Sequence, residues 1–202
     1  MIYTCMDIET TGLNAAVDDI LSVGWLRFNE DFQVLSNGVL YFYQPDFKVE
    51  KYPACDIHKL TRDFLREYEA DFATNYKKLF TLFHKSNMIG KNSNGFDIPF
   101  IKEFLLRHCR KAYNDLQPEV LKTFDVQVYV APIYQKRNNT TKKGTLSQYA
   151  QMYGITDDIV KRVMDSLPNK VSENQHYHGA LWDAVVTYLV MQAYCKETGL
   201  KI

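Results

Sequence analysis

The chain has 202 residues, of which 46% are hydrophobic and 14% aromatic, so it has enough apolar sequence for a real core and is too apolar for a disordered protein. The formal net charge is zero, and no stretch approaches the roughly 20 apolar residues of a membrane span. We expect a single domain over residues 1–202 without a membrane segment. The N-terminus reaches Asp7 with no basic residue before it, so we also expect no secretory signal peptide.

The four cysteines are Cys5, Cys55, Cys109 and Cys195, and none forms a C-x-x-C pair. This usage favours reduced thiols and a cytoplasmic location. Charge is uneven along the chain, because residues 1–60 are acidic overall and residues 61–150 are basic overall. Either this is ordinary solvated surface, or an acidic site lies beside a basic surface that suits a polyanion.

Three β-like runs open the chain. They cover residues 2–8, 20–28 and 34–45, and the polar stretch 29–33 between the second and third is suited to a turn. Three consecutive strands predict an antiparallel meander at the N-terminus.

Strands then alternate with helices. Tyr76, Leu79, Phe80 and Phe83 recur at helical spacing, and a second helical pattern begins at Ile98. The remaining predicted elements are short strands at 87–90 and 120–126, a basic loop at 135–144 and a helix at 145–154. The order of elements predicts an α/β fold, with a mixed sheet flanked by helices.

The segment from Gly179 to Cys195 is predicted to be a buried helix, because apolar residues surround it on all sides. Its single charged residue is Asp183, which we therefore place in the interior. An unpaired buried carboxylate is costly, so Asp183 needs a cation or several hydrogen-bond donors.

Asp7 and Glu9 at the end of the first strand share one face, because residues i and i+2 of a strand point the same way. Alone, such a pair is more often a solvated strand end than a ligand pair. Asp97 could equally be a residue of a helix first turn that the helix dipole stabilises. His178, just before the helix of Asp183, could be an ordinary buried histidine. Together the five suggest a Mg²⁺ or Mn²⁺ site, since hard oxygen ligands favour these ions.

The pattern resembles the DEDDh exonucleases, the superfamily of the bacterial proofreading subunit and of oligoribonuclease-type enzymes. "DIETTGL", "NSNGFDIPFI" and "HGALWDA" resemble its three motifs, and the intervening "DIHKLT", "TFDVQVYV" and "GTLSQYAQMYGI" resemble its other segments. The likeness runs from residue 2 to about 195. Residues 91–95 depart from the usual H-N-x-x-F-D motif, and the stretch 155–177 is longer than a minimal member needs, with no assigned role.

The resemblance implies an RNase H-like fold and a two-metal-ion 3′→5′ exonuclease that releases nucleoside 5′-monophosphates. Asp7, Glu9, Asp97 and Asp183 would hold two Mg²⁺ or Mn²⁺ ions. His178 would be the general base, since an intrinsic pKa of about 6.5 suits that task.

The resemblance also implies substrate contacts. The backbone of Thr10 and Thr11 would meet the terminal nucleotide, Leu13 would wedge against the bases, and His58 would lie near the nucleotide. Phe96 could stack against a base or belong to the core. Lys136, Arg137, Lys142 and Lys143 could follow the strand backbone or belong to a solvated loop.

Three hypotheses follow for the function. The first is a 3′→5′ exonuclease whose partner is the 3′ end of single-stranded DNA or RNA. The second is a small exoribonuclease, because contacts to the 2′-hydroxyl cannot be located from one sequence. The third is a non-catalytic or polymerase-bound adaptor that reuses the fold. The sequence identifies no protein partner and no oligomeric state.

Overall fold

The computed structural model describes residues 1–68, 71–108, 110–170 and 179–202. Cys109 and His178 lie outside the described residues. The strands are β1 (Ile2–Thr10), β2 (Ile20–Asn29), β3 (Val34–Tyr41), β4 (Ser86–Gly90) and β5 (Val120–Asp125). The helices of the described residues are α1 (Ala54–His58), α2 (Arg62–Tyr68), α3 (Phe72–Phe83), α4 (Asp97–His108), α5 (Arg110–Leu116), α6 (Val126–Asn138), α7 (Leu146–Met152), α8 (Asp157–Ser166) and α9 (Ala180–Thr198).

One five-stranded sheet has the order β3-β2-β1-β4-β5. The β1–β2 and β2–β3 pairs are antiparallel, and the β1–β4 and β4–β5 pairs are parallel. The predicted mixed sheet with an N-terminal meander is therefore confirmed. No described helix is both long enough and apolar enough to cross a membrane.

The two faces of β1 contribute to two separate apolar clusters. Met6 and Ile8 pack with residues of α3 and α4, whereas Tyr3 and Cys5 pack with residues of α6, α7 and α9. Because side chains alternate along a strand, Asp7 and Glu9 project on the same face as Tyr3 and Cys5. They therefore face the layer that contains α9.

Two predicted segments have different bounds in the structure, and α6 was not predicted. The third strand ends at Tyr41 rather than at residue 45, because the chain turns so that Phe42 and Phe47 pack against Phe104 in the core. The predicted loop 135–144 begins only after α6, which the sequence analysis missed. Pro132 inside that helix and the lack of a single apolar stripe obscured it.

The predicted buried helix is confirmed as α9, which packs on β1 and β2. The helix approaches the sheet very closely at Gly24 in β2. A Cβ atom at Gly24 would lie 2.0 Å from the amide nitrogen of Leu181 and 2.1 Å from the carbonyl carbon of Ala180. These are backbone atoms, so no side-chain rotation could make room, and the first turn of α9 sits where it does because residue 24 has no side chain.

We predict that Gly24→Ala destabilises the protein by about 1–3 kcal/mol, because the added methyl group must push the backbone of α9 away from the sheet. Urea denaturation measures this change in the free energy of unfolding. The matched control is Gly38→Ala in β3, where the added Cβ would meet the Trp25 ring at 3.0 Å instead of a backbone. An equal loss of stability in both variants would contradict the role given to Gly24.

Candidate active site

The site begins at the end of β1, where Asp7 and Glu9 are both half-buried. Asp7 pairs with Gly24 across the antiparallel β1–β2 ladder. Since the backbone of Ala180 and Leu181 lies against Gly24, Asp7 lies beside the first turn of α9. The ladder shifts register between Glu9 and Thr10, so the regular pairing ends just after the two acids.

Asp183 lies in the first turn of α9, and its amide donates to the carbonyl of Gly179 at 3.2 Å. It is half-buried and not fully interior as the sequence analysis expected, because its side chain also borders a cleft between α7, α8 and α9. Its neighbours Trp182 and Ala184 are buried.

Asp97 is the first residue of α4 and is only 3% exposed. The backbone amides of Asp97 itself and of Ile8 hydrogen-bond to its carboxylate. The second of these contacts ties the start of α4 to β1, so Asp97 is held next to the Asp7–Glu9 pair. A purely local helix-turn role for Asp97 was one interpretation of its position, and the contact with Ile8 adds a long-range role.

The acids share one electrostatic environment. Burial, followed by the charges of Asp183, Asp97 and Glu9, raises the pKa of Asp7 well above its usual range, and Lys91 opposes that rise. Burial, followed by Asp183 and Asp97, raises the pKa of Glu9 to about 8. Four carboxylates that lie on three different elements therefore interact, as a common site requires.

This arrangement fits a divalent cation. Carboxylates that raise one another's pKa values carry a negative charge that a cation between them would offset. In the described part of the chain, no three histidine, cysteine, aspartate or glutamate side chains already stand in a metal-binding arrangement. Asp7, Glu9, Asp97 and Asp183 are the oxygen donors that could hold an ion.

Asp125 is a buried residue of the site region that the sequence analysis missed. Its carboxylate accepts hydrogen bonds from the amides of Asn92 at 2.8 Å, Asn94 at 3.3 Å and Gln127 at 2.9 Å. It thus caps α6 and holds the turn that leads into Asp97. Burial and, after it, the charge of Asp125 raise the pKa of Asp97 to about 7. An acid at a strand end directly before a helix is a capping signal that could have identified it.

The loop after β1 is tightly organised around Asp18. The Thr10 hydroxyl donates to the carbonyl of Gly12 at 2.7 Å, and the Thr11 hydroxyl accepts from the amide of Asp19 at 2.9 Å. Asp18 is buried and pairs with Lys51. Both threonine side chains form hydrogen bonds within the loop. Of the predicted substrate contacts in this loop, Leu13 is the one whose side chain projects outward, and it is 85% exposed.

A cavity of about 310 Å³ lies beside Glu9. Its lining includes Leu13, His58, Phe96 and the exposed Tyr52. Phe96 packs against Phe100 of the core, with ring centroids 5.3 Å apart. It is only half-buried and also lines the cavity, so it has both a core contact and an open face. The structure thus brings four of the five predicted substrate contacts, Thr10 among them, to one cavity next to a carboxylate.

His58 is buried in the wall of this cavity. Its Nδ1 atom accepts from the amide of Leu60 at 2.9 Å, while its Nε2 atom has no hydrogen-bond partner among the described residues. Burial and then Lys59 lower the pKa of His58, which favours the neutral ring. Because Nδ1 is an acceptor, the ring proton of the neutral form is on Nε2, which is a free donor.

The predicted basic stretches do not form one loop. Arg137 lies in α6, bonds to Glu197 at 2.7 Å and lies over the Tyr153 ring. Arg137 therefore lies against the C-terminal end of α9, whereas the carboxylates lie beside the first turn of that helix. Lys142 and Lys143 are exposed.

Comparison with known proteins agrees with this geometry. The RNase T family model, described as "Exonuclease", matches residues 4–191. The chain belongs to this exonuclease family. The resemblance to DEDDh exonucleases drawn from the three motifs is therefore confirmed, and with it the prediction of a nuclease family. No curated protein matches the chain.

The solved structures that resemble this exonuclease-family chain show its fold. A structure of exonuclease I, described as suggesting how processivity is achieved, has 19% identity and a TM-score of 0.67, covering 97% of this chain and 41% of that one. Exonuclease I from Methylocaldum szegediense has 15% identity and a TM-score of 0.67, covering 98% and 41%. E. coli exonuclease I with a dA16 oligonucleotide has 18% identity and a TM-score of 0.61, covering 97% and 41%.

These likenesses confirm the predicted RNase H-like exonuclease fold. The chain spans about two fifths of the length of the structures it matches. Another of them is described as a zinc-ion-bound form of an E. coli exonuclease I complex with single-stranded DNA. A divalent metal and a single strand are thus bound by a protein of the same fold.

The raised pKa values of Glu9 and Asp97 predict how stability depends on pH without metal. In the unfolded chain these carboxyls ionise near 4.5 and 3.8, whereas in the folded chain they ionise near 8 and 7. Between these limits the folded state keeps protons that the unfolded state has lost, so the contribution of Glu9 and Asp97 to stability is greatest at low pH and falls as pH rises. We expect urea denaturation in EDTA to show this fall between about pH 4 and pH 8.

The double variant Glu9→Gln with Asp97→Asn should show a smaller loss of stability over this pH range. Addition of Mg²⁺ should also reduce the loss of stability in the unaltered chain. Asp46→Asn, which removes an exposed acid elsewhere, is the control and should keep the original slope. The same slope in the double variant and the control would contradict the electrostatic account of the site.

Proposed function

We propose that this chain is a metal-dependent 3′→5′ exonuclease that hydrolyses the terminal phosphodiester bond of a single strand and releases nucleoside 5′-monophosphates. The observation that carries the proposal is the convergence of Asp7, Glu9, Asp97 and Asp183 on one electrostatic environment beside a cavity. Family membership supports the same reaction class.

Two Mg²⁺ or Mn²⁺ ions, held by these carboxylates, would supply charge stabilisation for the attacking and leaving oxygens. Asp7, Glu9 and Asp183 are proposed as ligands of the ion on the side of the attacking water. Asp7 and Asp97 would hold the second ion. The interaction between the four carboxylates supports this assignment, because a cation that faces all of them offsets the repulsion between their negative charges.

His178 remains the proposed general base, which would take a proton from the attacking water. It lies outside the described residues, so this role rests on its place in the sequence. It directly precedes Gly179, the residue that caps α9. One turn along that helix lies Asp183, and this proximity along the chain supports the assignment.

The cavity beside Glu9 is proposed to hold the terminal nucleotide. His58 Nε2 would donate a hydrogen bond to an acceptor of that nucleotide, since burial keeps the ring neutral and leaves this donor unpartnered among the described residues. Leu13 and Phe96 would offer apolar surface to the base. The backbone of Thr10 and Thr11 would meet the 3′ end, in a loop that their own side chains organise.

We expect the purified chain to shorten a 5′-labelled single-stranded oligonucleotide stepwise in Mg²⁺ or Mn²⁺. Asp7→Asn should lower kcat by on the order of a hundredfold or more, because it removes a charge proposed to face both ions. A time course on a denaturing gel measures the rate, and chromatography of the products detects nucleoside 5′-monophosphates.

Asp46→Asn is the matched control, because it makes the same change at an exposed position away from the site. An unaltered chain that yields no ladder, or an Asp7→Asn variant as fast as the control, would contradict the proposal. Calorimetric titration with Mg²⁺ then distinguishes the exonuclease from the adaptor hypothesis. An exonuclease should bind Mg²⁺ and lose that binding in Asp7→Asn, whereas an adaptor should show no Mg²⁺ binding that depends on Asp7.

DNA and RNA are both kept as proposed substrates. The described residues near Glu9 offer one free imidazole donor, which could meet an acceptor of either sugar or of a base. Matched DNA and RNA oligomers of several lengths decide between a deoxyribonuclease and a small exoribonuclease. A cytoplasmic location and a single domain over residues 1–202 stay predictions.

A further inference from the structure

Lys91 directly follows β4 and opens the segment 91–95, which departs from the usual family motif. Strand β4 runs parallel to β1, and Cys5 of β1 pairs with Ile89 of β4. Two positions beyond that pair, the residues are Asp7 on β1 and Lys91 after β4. The sheet register therefore sets a lysine beside one of the proposed metal ligands.

The two segments are still adjacent beyond their last paired residues. A Cβ atom at Gly90 would lie 3.4 Å from the carbonyl oxygen of Met6. Because side chains alternate along a strand, Lys91 leaves the end of β4 on the face of Ile89, which packs in the apolar cluster that contains α9. Asp7 projects on that same face, so the lysine and the acid point into one layer of the molecule.

The charge of Lys91 acts on two of the four carboxylates. Burial raises the pKa values of Asp7 and Asp97, and Lys91 opposes both rises. The pKa of Glu9 is raised by burial and then by Asp183 and Asp97, with no opposing effect of Lys91. The ammonium group therefore lies toward Asp7 and Asp97, the two acids proposed to hold the second ion.

The Lys91 side chain is available to a ligand. It is half-buried, and it forms no ion pair with any residue that the structure describes. An ammonium group carries several donors on a flexible stem, so it can turn toward an oxygen atom that arrives with the substrate. The position of Lys91 and its lack of a paired acid both suit contact with an anionic group.

The leaving oxygen of the reaction is the atom that develops such a charge. In the step, the water oxygen bonds to phosphorus and its proton passes to the proposed base His178. The bond from phosphorus to the 3′-oxygen of the preceding nucleotide breaks, the electron pair stays on that oxygen, and the oxygen then takes a proton from solvent. Since Glu9 and Asp183 are proposed on the side of the attacking water, the leaving oxygen faces the opposite side.

We propose that Lys91 is a further catalytic residue, whose ammonium group donates a hydrogen bond to the leaving 3′-oxygen and stabilises the negative charge that develops there. A charged donor that is already in place accelerates a reaction when it faces the atom on which charge appears. The inference rests on the proposed exonuclease function, deepens it, and gives a role to the residue at which the second motif departs from the family pattern.

Two substrates separate this role from every other effect of Lys91. A short thymidine oligonucleotide releases a strongly basic alkoxide, whereas thymidine 5′-(4-nitrophenyl phosphate) releases nitrophenolate, which carries its charge without help. In Lys91→Gln, the ratio of kcat for the oligonucleotide to kcat for the ester should fall by roughly tenfold or more, because only the alkoxide needs the lost donor. A change that merely disturbs the site would lower both rates together.

Lys91→Met, which keeps an apolar stem without the charge, should show the same fall, and Lys91→Arg, which keeps a charged donor, should restore most of the ratio. The matched control is Lys85→Gln. Lys85 directly precedes β4 and is exposed. It lies about 20 Å from Lys91 along the strand direction, so its loss should leave both rates unchanged. Thermal melts check that each variant folds.

An unchanged ratio in Lys91→Gln and Lys91→Met would overturn the assignment of Lys91 while leaving the exonuclease function in place. The same fall in Lys85→Gln, or a ratio in Lys91→Arg as low as in Lys91→Gln, would also count against a charged donor at this position. Failure of the unaltered chain to hydrolyse either substrate would instead contradict the proposed function, and the role of Lys91 with it.

Discussion

The contact between Gly24 and the backbone of α9 is the constraint on which the site depends. It lets the first turn of an almost wholly apolar helix lie directly on the sheet, and Asp7 is the strand residue paired with Gly24. Asp183 follows in the same turn of α9. Asp7 and Asp183, which are 176 positions apart in the sequence, are therefore brought together by the absence of one side chain. A larger residue at position 24 would move them apart.

Crowded carboxylates are unfavourable for folding, and the surrounding structure offsets part of that cost. Backbone amides hold Asp97, and three further amides hold Asp125, so these buried charges retain hydrogen bonds. Asp7 and Glu9 instead end a strand where they repel their neighbours. A stable core gains nothing from such a cluster, and perturbed carboxylates beside a cavity are characteristic of functional sites.

The sequence predicted the parts of the molecule that a strong local pattern specifies. Period-two strands, the paired acids of β1 and the apolar α9 each leave a direct signal, and so the sheet, Asp7, Glu9 and Asp183 were predicted from local patterns. Asp97 was added by the resemblance of "NSNGFDIPFI" to the second family motif. α6 was missed because Pro132 interrupts it and its apolar residues form no single stripe. Asp125 was missed because its role arises from contacts with Asn92 and Asn94, which are distant in sequence.

The partners of charged residues also depend on contacts that are distant in sequence. Arg137 belongs, by sequence, to a basic stretch that could follow a nucleic-acid strand. In the fold it is engaged by Glu197 and Tyr153, at the end of α9 opposite to Asp183. Composition reports that a segment is basic, but the pairing of each charge depends on which helices pack together.

Helix α4 couples the carboxylates to the loop that shapes the substrate cavity. It begins with Asp97 at the site, and Arg107, about 15 Å further along its axis, bonds to Asp19 at 2.9 Å. Arg107 also bonds to the carbonyl of Asp18, and the amide of Thr11 donates to the carbonyl of Asp19 at 2.9 Å. A rigid helix therefore fixes both a proposed metal ligand and the loop that presents Leu13. The carboxylates and the cavity beside them are positioned by one element, so a displacement of α4 would disturb both together.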